Sequence, residues 1–191
     1  MKQRIGIDVD GVLRDFSLDL HKVIKEHYPT YIIDEVDTPK EMTDWDLENS
    51  FNASKHEIQR IYREEFAHTI LSNGTPIAEN VDYLREQIKK DKHTFVAVTS
   101  QHPMCCHHTL YWLGKYELGF SSVVFKKGRR KWQVEVDYLI DDSPNNYYAW
   151  VYGRQMEDGF ILLDRPWNEK VKSNCRVNNI KEAIGIINYE N

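Results

Sequence analysis

Ile5-Gly6-Ile7-Asp8-Val9-Asp10-Gly11-Val12-Leu13 reads as a short apolar strand that ends by releasing two carboxylates one residue apart. Side chains alternate along a strand, so Asp8 and Asp10 are expected on one face, and Gly11 frees the backbone to turn sharply beyond them. Such a pair suits a hard cation. One carboxylate and a nearby backbone carbonyl can hold Mg²⁺ while the second carboxylate moves a proton.

Outward from this stretch, four further apolar, β-rich runs at residues 94–98, 122–125, 138–140 and 160–163 read as buried parallel strands. Helical patterns at 77–90, 104–116 and 144–152 lie between them. Residues 179–189 read as a closing amphipathic helix with Ile180, Ala183, Ile184 and Ile187 on one face. This alternation predicts an α/β fold around a parallel sheet. The exception is 16–75, where helical candidates at 16–27 and 54–68 dominate. Its middle, 34–52, is rich in Asp, Glu, Thr, Ser and Asn and contains Pro39, which predicts loops and short helices. The expected organisation is a core of residues 1–15 and 76–191 with a helical insertion at 16–75.

A chain of 191 residues that is 41% hydrophobic can bury one core with a modest insertion. Its net charge of −5 argues against a nucleic-acid coat, so any phosphate must be met by a local basic cluster, and no stable nucleic-acid complex is expected. Three cysteines, two of them adjacent, form neither a zinc pattern nor a disulfide framework. No run reaches membrane-spanning length and no apolar leader follows Lys2 and Arg4, so a cytoplasmic location is expected.

Two more strand ends carry polar residues. The run Phe95-Val96-Ala97-Val98 ends in Thr99-Ser100, and Tyr138-Leu139-Ile140 ends in Asp141-Asp142. The C-terminal ends of parallel strands share one edge, where ligands bind, so these residues should converge with Asp8 and Asp10. Four carboxylates repel one another unless a divalent cation and basic side chains compensate. Lys126, Lys127, Arg129, Arg130 and Lys131 lie just upstream of the last pair.

In order and spacing these residues resemble the four motifs of the haloacid dehalogenase superfamily. Within it, Asp8-Val9-Asp10-Gly11-Val12-Leu13, then Asp15-Phe16, Thr99-Ser100 and Lys131 ten residues before Asp141-Asp142, are similar to the 5′(3′)-deoxyribonucleotidase family. Leu163-Asp164-Arg165-Pro166-Trp167-Asn168 adds a Pro-aromatic-Asn stretch of the kind found near the end of such proteins. One departure is that Gln101 and His102 separate Thr99-Ser100 from Pro103, where many relatives have Pro directly. The resemblance implies a Rossmann-like three-layer fold with a small helical cap inserted after the first strand. It implies a phosphomonoesterase in which Asp8 is the nucleophile, Asp10 the acid and base, and Thr99, Ser100 and Lys131 the phosphate grip. It also implies Mg²⁺ held by Asp8, the Asp10 carbonyl and Asp141, with Asp142 acting through water or orienting Lys131. A nucleoside monophosphate is the expected substrate, with its sugar near Phe16 and its base against cap aromatics such as Trp45.

Several features also have plain readings. Thr99-Ser100 could cap a helix, and Lys131 could be a surface lysine. Trp45, Phe51, Tyr62 and Phe66 could fill a core. Cys105, Cys106, His107 and His108, adjacent on a helix, are expected to pack and not to bind one ion. Two functional alternatives stand beside the nucleotidase: a phosphatase for another small phosphomonoester or a polynucleotide 3′-phosphate, and a noncatalytic nucleotide-binding protein. A homodimer is compatible with either reading.

Overall fold

The computed structural model describes residues 1–33, 36, 38–126 and 128–189. Asp34, Glu35 and Asp37 of the polar stretch, and Lys127 of the basic cluster, lie outside the described residues. The chain order is β1 (Arg4–Ile7), α1 (Phe16–His27), α2 (Lys55–Arg60), α3 (Ala78–Lys90), β2 (Thr94–Thr99) and α4 (Cys106–Lys115). There follow β3 (Ser122–Phe125), β4 (Tyr138–Asp141), α5 (Pro144–Arg154), β5 (Phe160–Leu163), β6 (Arg176–Val177) and α6 (Ile180–Tyr189).

The six strands form one parallel sheet in the order β3-β2-β1-β4-β5-β6. The period-2 pattern of the strands builds two cores from it. On one face Ile5, Ile7, Phe95, Ala97, Ile140 and Ile161 pack with Val81 and Leu84 of α3, Trp112 of α4 and Ile180, Ile184 and Ile187 of α6. On the other, Val96, Val98, Leu139, Phe160 and Leu162 pack with Tyr147 and Trp150 of α5. Helix, sheet and helix make the three layers of an α/β Rossmann-like fold.

Residues between β1 and α3 gather a separate apolar cluster from Leu20, Val23, Ile24, Met42, Phe51, Ile58, Ile61, Ile70 and Leu71, joined by Cys105. Here the single helix expected at 54–68 is not what forms. After α2, whose N-terminus is closed by a capping box of Ser54 and Glu57, the chain runs through two wider i→i+5 turns, Ile61–Glu65 and His68–Ser72. Ile61, Ala67, Ile70 and Leu71 of this stretch are buried against the rest of the insertion.

Other expectations need correcting. The β3 run is an edge strand and all four of its residues are only half-buried, because among the described residues no strand covers its outer side. The two-residue β6 escaped the sequence reading because it has no apolar run to announce it. Finally, β1 stops at Ile7, so Asp8 and Asp10 do not alternate along one strand face. Past Asp8 the chain folds into a tight loop, with Leu13 N–H and Arg14 N–H both donating to Val9 O (2.8 and 2.9 Å) and Gly11 at φ +78°.

Candidate active site

Because every strand is parallel, the residues that follow β1, β2 and β4 emerge at one rim. Asp8 still bonds the ladder through its N–H to Ile140 O (3.0 Å), which holds it beside Asp141. Asp8, Asp141 and Asp142 are all buried, and each offers a carboxylate oxygen within 4.8 Å of the others.

Lys131, only 2% exposed, enters from the short turn Lys131–Gln133 between β3 and β4. Its Nζ lies 2.8 Å from Asp8 Oδ2 and 2.7 Å from Asp141 Oδ2. The surface-lysine reading is therefore wrong. Asp141, not Asp142, orients this lysine, which corrects one of the roles expected of Asp142. Asp141 is itself fixed by the Ser143 N–H (2.8 Å) and by Asn146 Nδ2 (3.0 Å to Oδ2). Asp8 Oδ1 accepts from Val9 N–H (2.7 Å).

Asp142 is held by the short turn that follows β5. Trp167 Nε1 donates to its Oδ2 (3.0 Å), and Asn168 Nδ2 ties its main-chain oxygen to that of Leu163 (2.8 Å each). Its Oδ1 is buried without a hydrogen-bond partner. Burial is the main cause that raises the Asp8 pKa from 3.8 to about 7, with Lys131 opposing and Asp141 adding to the rise. Burial, then Asp141 and Asp8, push Asp142 well above the carboxylate range. Lys131 is driven upward by its two carboxylate partners despite burial. Three buried carboxylates against one ammonium, with one orphaned oxygen, are the donor set of a hard divalent cation, and these residues fit Mg²⁺.

Asp10 stands apart from this group. Its Oδ1 accepts from Arg14 Nε (2.8 Å) and Nη2 (2.7 Å), and its Oδ2 accepts from Gln101 Nε2. Its side chain is thus turned to the neighbouring polar groups. Arg14 and Gln101 were not anticipated. Gln101 had a signal, as the insertion before Pro103, whereas nothing in the sequence marks Arg14.

A cleft of about 350 Å³ opens over this rim, lined by Asp8, Asp10, Thr99, Ser100 and Lys131 on the sheet side. Phe16, Trp45, Tyr62 and Arg63 line it from the segment between β1 and α3. Phe16 and Tyr62 meet edge to face, with ring centroids 5.2 Å apart. Thr99 is buried at the end of β2, and Ser100 donates its hydroxyl to Lys126 O (3.0 Å). His102, not Thr99 or Ser100, caps the next helical turn. Phe51 and Phe66 do not line this cleft: Phe51 is buried in the insertion's core, and Phe66 stacks on His27. Cys105 is buried in the same core.

Carboxylates, a buried lysine and a Thr-Ser strand end at the rim of a Rossmann-like sheet define a phosphatase of the haloacid dehalogenase type. The model of the family described as 5′ nucleotidase, deoxy (pyrimidine), cytosolic type C matches residues 2–190, and the chain belongs to that family. It is a phosphoric monoester hydrolase. The fold is shared with CbbY of Rhodobacter sphaeroides, solved in complex with phosphate, at 15% identity and TM-score 0.60, over 95% of this chain and 96% of that one. It is also shared with YfnB of Bacillus subtilis, solved bound to magnesium, at 15% identity and TM-score 0.62, over 98% and 99%. A hydrolase of Streptococcus pneumoniae TIGR4 aligns over 98% of this chain and all of its own, at 19% identity and TM-score 0.59. No curated protein matches the sequence. Among the described residues, no helix is long and apolar enough to cross a membrane.

Proposed function

We propose that this protein is a magnesium-dependent 5′(3′)-deoxyribonucleotidase that hydrolyses nucleoside monophosphates in the cytoplasm. Residues 1–15 and 76–191 form its catalytic core and residues 16–75 its cap. The observation that carries this reading is the meeting of Asp8, Lys131 and Asp141 beneath a cleft whose other wall is aromatic.

Asp8 Oδ attacks phosphorus as the ester P–O bond breaks, and Asp10 passes its proton to the departing sugar oxygen. In the second half Asp10, now a carboxylate, takes a proton from water. That water displaces Asp8 from phosphorus, releasing inorganic phosphate and restoring both residues. Lys131, Thr99 and the donors around Ser100 hold the equatorial oxygens and stabilise their charge; loss of one such donor costs on the order of 10²–10³ in rate. The carboxylates of Asp8, Asp141 and Asp142 with the Asp10 carbonyl would hold Mg²⁺, which polarises a phosphoryl oxygen when bound. Phe16, Trp45 and Tyr62 supply apolar faces to sugar and base and exclude water from the reacting atoms.

The test is free-phosphate release from a panel of deoxyribonucleotides, ribonucleotides, sugar phosphates and a 3′-phosphorylated oligonucleotide, with and without Mg²⁺. Deoxyribonucleotides should lead the panel, and Asp8→Asn should abolish release while the melting curve is preserved. A sugar phosphate or the oligonucleotide leading would replace the substrate. No turnover of any ester would leave a noncatalytic nucleotide-binding protein.

A further inference from the structure

Arg14 is a fully buried arginine with 0% exposure, and it lies outside the cleft. A guanidinium in that position must spend its donors on the protein. Nε and Nη2 converge on Asp10 Oδ1, Nη1 donates to the main-chain oxygen of Leu71, and Nη2 also reaches Thr109 Oγ1 at 3.4 Å. Its Cζ stands 5.5 Å from the ring centroid of Trp112, whose Nε1 donates to Gly74 O (2.7 Å). Leu71 and Gly74 belong to the strip by which the chain returns to the sheet. There Asp15 N–H donates to Thr75 O (2.8 Å) and Ile77 N–H to Leu13 O (2.7 Å). A Cβ at Gly74 would press on the Ile70 main-chain oxygen and on Arg14 Cδ, so the return strip passes close to this side chain.

We propose that Arg14 is a positioning residue for proton transfer, an inference that rests on the phosphatase reading above. By fixing Oδ1 of Asp10 from behind, Arg14 leaves Oδ2 as the oxygen that faces the cleft. That oxygen now meets Gln101, which lines the cleft, and a leaving oxygen would take the place of the amide. The proton passes from Asp10 Oδ2 to the leaving oxygen as its bond to phosphorus breaks. Through Leu71, the same guanidinium ties the proton donor to the end of the helical insertion.

A proton donor matters only for a leaving group that needs a proton, and this gives a readout that a merely structural role would not move. We compare kcat/KM of wild type, Arg14→Met and Arg14→Lys on a deoxyribonucleotide, whose alkoxide must be protonated, and on p-nitrophenyl phosphate, whose phenolate leaves unaided. Arg14→Met should lose about 10²-fold on the nucleotide, within the span a general acid contributes, and less than about threefold on the aryl ester. Arg14→Lys keeps the buried charge and so the fold, and should lose about tenfold on the nucleotide alone. It therefore carries the test if the methionine variant does not fold. Equal losses on both substrates, or no loss on either, overturn the proposal for Arg14 while the phosphatase reading stands. A wild-type protein inactive on both substrates overturns that reading, and this inference with it.

Discussion

Lys131 Nζ lies 2.7 Å from Asp141 Oδ2, ten residues further along the chain, and both groups are buried at the rim of the sheet. The lysine balances two carboxylates at once, so its removal leaves two buried negative charges facing each other. Breaking a buried pair in this way costs about 3–5 kcal/mol. Lys131→Met should therefore melt well below wild type and lose about 10²–10³ in kcat. Excess Mg²⁺ should recover part of the melting temperature, because a cation can replace the lost charge, but not the rate. Calorimetry and phosphate release measure the two effects separately.

Asp142 Oδ1 is buried without a hydrogen-bond partner, and its twin Oδ2 is anchored by Trp167. Asp142→Asn keeps the shape and the Trp167 bond but removes one charge from a crowded anionic site. The metal-free variant should be at least as stable as wild type, while its affinity for Mg²⁺ drops about 10–100-fold. Titration calorimetry with Mg²⁺ tests this directly. Unchanged affinity would remove Asp142 from the ligand set.

The placement of these groups was legible in sequence for a simple reason. Strand ends in a parallel sheet fall at one rim whatever the loops do, so Asp8, Thr99 and Asp141 follow from apolar runs and their polar terminators. What escaped was set by packing across long separations. Arg14 meets Leu71 and Thr109, and Trp167 meets Asp142, through contacts that no local pattern encodes. The widened turns at Ile61–Glu65 and His68–Ser72 escaped likewise, because no spacing in the sequence separates an i→i+5 turn from an ordinary helical one.

Stability should depend on pH with a sign fixed by Asp8. Its pKa rises from 3.8 to about 7 in the folded metal-free protein, so between these values the native state binds more protons than the unfolded chain. Stability of the metal-free protein therefore falls as pH rises from about 4 to about 7, and Asp142, also raised, adds to the trend. Mg²⁺ must displace those protons, so it should raise the melting temperature more at pH 8 than at pH 5. Thermal scans in EDTA and in Mg²⁺ at both pH values check the direction. An Mg²⁺ effect independent of pH would mean that the ion binds away from these carboxylates.

Trp45 is 37% exposed and borders both the cleft over the strand ends and a smaller cavity of about 90 Å³ that also touches Asp10 and Trp167. It lines the cleft from the segment between β1 and α3, opposite the strand ends. An aromatic face there binds the non-reacting part of the substrate equally in the ground and transition states, so its loss should appear in KM with kcat almost unchanged. Stacking of one base on an aromatic ring is worth about 1–3 kcal/mol. Trp45→Ala should accordingly raise KM for a deoxyribonucleotide by about tenfold or more. It should leave p-nitrophenyl phosphate, which has no base, close to wild type. A fall in kcat on both substrates would instead place Trp45 in cap closure over the reacting atoms.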